Sequence, residues 1–199
     1  MAEKQTYHLC VLEKWRVPSI PDELIDQFYR VNKAWVHRSS IVDSGALIGQ
    51  GSVVWHFTHI ASTAVIGKNC MIGQGCFIAG HVGQGSRIQN NVSVWKEVTL
   101  AKECFVGPGV QFTNAYMPNP GYRAAAVPTT IGERCALCAG AIIVAPCTID
   151  SGSFVAAGAV VRSSIYSPGS ILVGCPATHN AKVMESVVRN RGRNRKARR

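Results

Sequence analysis

The feature that most limits how this chain can fold is an aliphatic residue at every sixth position. From Val36 the count gives Val42, Ile48, Val54, Ile60, Ile66, Ile72 and Ile78. A second series runs Val82, Ile88, Val94, Leu100, Val106 and Phe112, and a third runs Ile131, Leu137, Ile143, Ile149, Val155 and Val161. These twenty positions are far more than a hydrophobic content of 47% would place at one spacing by chance. An amphipathic helix repeats at about 3.6 residues and a half-buried strand at about two, so neither accounts for the pattern.

The position two before each aliphatic is small or β-branched: Ser52, Thr58, Ala64, Cys70 and Cys76, then Ser86, Val92, Val98, Cys104 and Val110, then Thr129, Cys135, Ala141, Cys147, Ser153 and Ala159. Glycine often follows the aliphatic, as at Gly49, Gly67, Gly73, Gly83, Gly107 and Gly132, where a tight corner is expected to need backbone freedom. Each hexad is then one short strand and one turn. Three hexads close a triangular coil of eighteen residues, and twenty of them make six to seven coils. Successive coils pair as parallel strands about 4.8 Å apart.

Composition fits such a prism. The 199 residues hold 19 Gly and 9 Pro, and with aromatics at 8% the core must be built from small and branched aliphatics. The N-terminal MAEKQTYHLCVLEKWR lacks the apolar run of a secretion signal, and no stretch approaches a membrane span, so a cytoplasmic location is expected. Five of the eight Cys (Cys70, Cys76, Cys104, Cys135, Cys147) fall on the small inward position and read as core. Cys135 and Cys138 form a lone CxxC at different positions of one hexad, so no metal site is expected. The net charge of +10 is uneven: the last eleven residues carry seven Lys or Arg and no acid, leaving the rest at +10 minus 7, or +3. That tail reads as a solvated extension, with nucleic acid or an acidic surface as its alternative partner.

A stacked coil tolerates irregularity only at its corners, so function is sought where the repeat breaks. The register slips by two at Ala79-Gly80-His81 and stops between Phe112 and Ile131, where a Pro-containing loop, 114–130, leaves the stem. Two residues past the aliphatic lie Asn114, Lys96 and Gly80, each one coil apart. Asn114, Lys96 and His81 are therefore expected to line one edge, with the loop above them.

Three segments carry a resemblance: Val54-Trp55-His56-Phe57-Thr58-His59-Ile60; Ile88-Gln89-Asn90-Asn91-Val92-Ser93-Val94-Trp95; and Gly107-Pro108-Gly109-Val110-Gln111-Phe112-Thr113-Asn114-Ala115-Tyr116. Over residues 36–183 the chain resembles the hexapeptide N-acetyltransferases that act on nucleotide-linked amino sugars. The resemblance implies an all-β, left-handed parallel β-helix with short N- and C-terminal helical segments, assembled as a homotrimer. It also implies acetyl-CoA in a groove between subunits and transfer to a UDP- or dTDP-linked sugar, a 3-amino group favoured over a 4-amino one. Carried over residue by residue, Asn114 takes the place beside the reacting amine and thioester. A dedicated base is optional in such a reaction, and His81 is the candidate for it. Lys96, Glu97, Tyr116, Asn119, His56 and His59 are candidate substrate contacts. The turn Val173-Gly174-Cys175-Pro176-Ala177 matches the family's closing turn and makes Gly174, Pro176 and Ala177 candidate coenzyme contacts, joined by His179. Thr178 stands where a basic residue is usual, so a phosphate contact is assigned to Lys182 or the tail. The loop is shorter than in the family, and Lys96 replaces the usual acid, with Glu97 displaced by one.

The expected organisation is an N-terminal segment, 1–35, with a helix from a Ser19 cap to Val31; a stem, 36–177; and a C-terminal helix and basic tail, 178–199. Two other readings stand beside the enzyme. A metal-dependent β-helix enzyme needs three converging His, and none occurs from 82 to 178. A non-catalytic assembly or binding module would use the basic tail.

Overall fold

The structure is a computed structural model that describes residue 17, residues 19–115, residue 118 and residues 125–179. It is a left-handed β-helix of about seven turns. Three sheets, parallel except for one antiparallel strand at each end of the first, form the sides of a prism. The first face has ten strands, and the second and third have seven each. Strands of two or three residues recur around the coil: Val53–Val54 on the first face is followed by His59–Ile60 on the second, Val65–Ile66 on the third and Met71–Ile72 on the first again.

Each strand points one side chain in and one out, because successive residues of a strand face opposite ways. The inward column of the first face runs Val54, Ile72, Ile88, Val106, Leu137, Val155 and Leu172, in register from turn to turn. All of these are fully buried. The small residues before them also face in, and they do more than fill space. Ser52 Oγ donates to Gly67 O at 2.8 Å while accepting the Cys70 N–H at 2.9 Å, and Ser86 Oγ accepts the Cys104 N–H at 3.0 Å. The thiols continue the ladder: Cys70 Sγ donates to Gly83 O at 3.2 Å and Cys104 Sγ to Gly132 O at 3.1 Å. A corner interior is thus apolar in volume yet satisfies backbone carbonyls that would otherwise be orphaned. Burial, helped by the neighbouring Cys135, pushes the Cys104 thiol up to about 12, so these sulfurs are structural.

The glycines after the aliphatics have a different cause from the one expected. The left-handed corners fall elsewhere, at Gly51, Gly75, Gly85, Gly109, Gly140, Gly152, Gly158 and Gly169. At Gly49 and Gly67 a Cβ would sit 2.5 Å from the backbone of the next coil, at Gly67 C and Gln84 N respectively. Close approach of stacked turns, rather than conformational freedom, selects glycine there.

The N-terminal helix is shorter than expected. A 3-10 helix spans Asp22–Gln27, preceded by Pro21 with no side-chain cap and burying none of its residues. Phe28–Val31 is a strand, antiparallel to Ala34–His37. The first coil has an open edge whose N–H and C=O groups need partners, and pairing satisfies them where a helix could not. Ala177–His179 folds back on Ile171–Gly174 in the same way at the other end. The expected helix from Asn180 lies outside the described residues. Among the described residues no helix is long and apolar enough to cross a membrane.

Candidate active site

The three edges of the prism differ. Between the first and second faces, and between the third and first, inward residues follow one another at six throughout. Between the second and third faces the step is four from Ile78 to Val82, nineteen from Phe112 to Ile131, and five from Val161 to Tyr166. The third departure was not anticipated, because Tyr166 stands where an aliphatic was being counted.

This edge holds the residues expected to converge. His81 opens the strand His81–Val82, exposed on the third face between Val65 and Thr99. The shortened corner before it admits only glycine, since a Cβ on Gly80 would collide with the carbonyls of Trp95 and Val98. One turn on, Lys96 is exposed and Glu97 half-buried in a tight turn closed by the Val98 N–H on Trp95 O at 2.9 Å. One further turn on, Asn114 is half-buried at the neck of the loop. Its carbonyl accepts the Val127 N–H at 2.9 Å, Ala115 and Ala126 form an antiparallel bridge, and the adjacent Thr113 Oγ1 accepts the Ala145 N–H at 2.8 Å. Asn114 is therefore held from both sides, although the loop beyond it is long.

Lower on the second face, His59 Nε2 and Asp43 Oδ1 are 3.0 Å apart. Phe77 packs edge-on against His59, with ring centroids 5.4 Å apart, and Trp95 packs on Phe77 at 5.3 Å. The Trp95 indole donates to Phe112 O at 2.8 Å, two residues short of Asn114. A packed series thus climbs from the His59–Asp43 pair to the loop neck. His56 sits apart, on the edge between the first and second faces, its ring 3.8 Å from that of His37. His37 contacts Ser39 Oγ at 2.8 Å and Gln27 Oε1 at 3.3 Å, and Phe28 lies edge-on to it at 5.1 Å. Burial and then the charge of His56 lower its pKa. Sequence reasoning gave His37 no role, because most of its partners, Gln27, Phe28 and His56, lie nine or more residues away.

At the top of the irregular edge, Pro176, Ala177 and Thr178 share a groove of about 350 Å³ with Arg162, Ser163, Ser164 and Tyr166. Gly174 occupies the turn with φ +101°, and the Ile171 N–H reaches His179 Nδ1 at 3.4 Å. Arg162 was missed. It supplies a cation beside the closing turn, and the five-residue step marks it. A larger groove of about 470 Å³ lies on the edge between the third and first faces, lined by Arg30, Lys33, Gln50 and Gly51, away from every candidate residue. Tyr116, Asn119, Lys182 and the basic tail lie outside the described residues.

Family models agree with this architecture. Residues 34–80 match the bacterial transferase hexapeptide (six repeats) model, and residues 128–163 match the hexapeptide repeat of succinyl-transferase. Both matches are to hexapeptide repeats, and both fall on the stem. The chain is 32% identical over 126 residues to the bifunctional protein GlmU of Limosilactobacillus fermentum, covering 63% of this chain and 25% of that protein. It is 26% identical over 133 residues to the acyl-[acyl-carrier-protein]–UDP-N-acetylglucosamine O-acyltransferase of Brucella ovis, covering 60% of this chain and 46% of that one. The chain therefore spans between a quarter and a half of the length of these relatives. Among solved structures, LpxA, a UDP-N-acetylglucosamine acyltransferase from Bacteroides fragilis, superposes with a TM-score of 0.61 at 18% identity, covering 75% of this chain and 61% of that one, a likeness of fold.

Proposed function

We propose that this chain transfers an acetyl group from acetyl-CoA to the amino group of a UDP- or dTDP-linked amino-deoxy sugar, as a homotrimer, along the edge between the second and third faces. The observation that carries the reading is the confinement of all three breaks in the repeat to that edge, with Asn114 clamped at the largest. An O-acyltransferase of UDP-N-acetylglucosamine among the relatives supports acyl transfer to a nucleotide sugar.

The chemistry asks little of the protein. The neutral amine attacks the thioester carbonyl, a C–N bond forms, the C–S bond breaks, and the coenzyme leaves as its thiolate while the amine loses a proton. Alignment of the reactants supplies most of the acceleration, and the Asn114 amide offers a polar contact as charge develops. His81 takes the proton and passes it to solvent or to the departing sulfur. Arg162 is two turns from Asn114, about 10 Å along the stem. A coenzyme with its thioester at Asn114 then directs its phosphates toward the groove of Arg162 and Pro176, and Lys96 and Glu97 face the sugar nucleotide.

The test is to incubate the full chain with acetyl-CoA and a panel of UDP- and dTDP-linked 3- and 4-amino sugars, following thiol release and the mass of the sugar. Thiol release matched by one acetyl gained on the amine supports the proposal. Absence of product with every acceptor overturns it and favours the tail-bearing binding module; acetylation of a hydroxyl overturns the amino-group assignment and leaves an O-acyltransferase.

A further inference from the structure

Below Asn114 the irregular edge presents three kinds of side chain in a fixed order. One turn down stands Lys96, the only Lys or Arg that the corners 43–46, 61–64, 79–80 and 95–97 carry. Next comes Phe77, half-buried on the second face, its ring packed on Trp95. Below it lies the His59–Asp43 pair. Ile60, Ile78 and Val94 stack in register, and Ser93 pairs with Gln111 in the turn that leads to Asn114. His59 is therefore three turns below the loop neck, about 14 Å along the stem. The fold gains little from the pair: the two side chains are 42% and 38% exposed, and an ion pair so wetted adds little to stability.

The order matches the chemistry of a sugar nucleotide laid along the edge, which runs from amino sugar to diphosphate to nucleoside. With the amine at Asn114, the diphosphate meets the Lys96 ammonium one turn down, and the base reaches Phe77 and the pair beneath it. The neighbouring subunit of the proposed homotrimer supplies the facing wall that an open edge lacks. An aromatic ring stacks on any base, so Phe77 contributes affinity without choice. Choice comes from the carboxylate. Asp43 Oδ1 is engaged by His59 Nε2 at 3.0 Å, which leaves Oδ2 to accept one ring N–H. Uracil and thymine present one such group, the imide N–H between two carbonyls. Cytosine has a bare nitrogen at that place, whose lone pair a carboxylate repels, and guanine offers two adjacent N–H groups that call for both carboxylate oxygens at once.

We infer that Asp43, oriented by His59, selects the nucleotide, accepting the imide N–H of a uracil or thymine stacked on Phe77. The inference rests on the function proposed above and names the residue that restricts its substrate to those two bases.

The test is read on binding, apart from acetyl transfer. Titration calorimetry of the full chain with UDP, dTDP, CDP and GDP should show UDP or dTDP bound at least ~10-fold more tightly than CDP and GDP. Asp43→Asn keeps an oxygen for His59 and turns an N–H donor toward the base. It should weaken the preferred nucleotide ~10–100-fold and shift the ranking toward CDP, with the affinity for acetyl-CoA and the thermal midpoint unchanged. Phe77→Leu should weaken all four nucleotides alike. Equal binding of the four, binding of none, or an Asp43→Asn variant that keeps the wild-type ranking overturns the inference. Acetyl transfer without base preference leaves the enzymatic reading standing, whereas base preference without acetyl transfer overturns that reading alone.

Discussion

Two edges of the prism and the third are built from the same repeat, yet they behave as different materials. On the regular edges each corner is six residues from the last, and hydroxyls and thiols such as Ser52, Cys70, Ser86 and Cys104 link consecutive turns through their carbonyls and N–H groups. An added or missing residue there would misalign every such link above it. On the edge between the second and third faces the chain is cut to four at Gly80, opened to nineteen at Asn114 and cut to five at Arg162, and the strands on either side still pair in register. The lesson is that the regular edges hold the stem, and the irregular one is left to vary.

The sharpest way to break that contrast is insertion. Two residues added between Lys68 and Asn69, on a regular edge, should abolish cooperative folding or cost more than about 4 kcal/mol, the range reached only when a core arrangement is lost. Two residues added between Gly80 and His81, which restore a six-residue step, should leave most of the stability intact. Thermal unfolding followed by circular dichroism reads both.

Next in size, Asn114→Ala should cut turnover about 100-fold, as loss of a donor aimed at developing charge does, while the melting curve stays within experimental scatter. Undiminished turnover would remove Asn114 from the site. On the regular edges, Gly67→Ala should cost about 1–3 kcal/mol, because its Cβ would press on Gln84 N. Gly158→Ala, which meets open space and bears only the left-handed backbone angle, should cost about 1 kcal/mol. Equal losses at the two sites would dissolve the distinction between close approach and backbone freedom.

The smallest effects are in pH. Burial raises the Cys104 thiol to about 12, so the folded state keeps a proton that the unfolded chain releases near 9, and stability should fall between those values. His37 moves the other way: burial and His56 lower its pKa, so the unfolded chain binds the proton first and stability should fall as pH drops through 6.5. Cys104→Ala should flatten the alkaline slope and His37→Gln the acid one, each seen in denaturation midpoints across pH.

Much of this was legible in the sequence. The aliphatic sixes fix the prism because only a coil with three sides turns every sixth residue inward, and the break at Phe112 is visible as a gap in the count. The step at Val161 was hidden because Tyr166 fills an inward place without being aliphatic. Phe28–Val31 was misread as helix because its apolar spacing suits one, and only the unpaired edge of Ala34–His37 decides for a strand. The glycines at positions 49 and 67 look like turn residues until the next coil is stacked on them. The His37–His56 and His59–Asp43 contacts join residues sixteen or more apart, which a linear pattern does not bring together.

The central claim is that the irregular edge is the working surface. Hydrogen–deuterium exchange with and without saturating acetyl-CoA tests it most directly. The account predicts protection concentrated at residues 80–82, 95–97, 113–115 and 162–164, with the regular corners at 67–70 and 73–76 unchanged. Protection confined to those regular corners, or to the groove of Arg30 and Lys33, would contradict it.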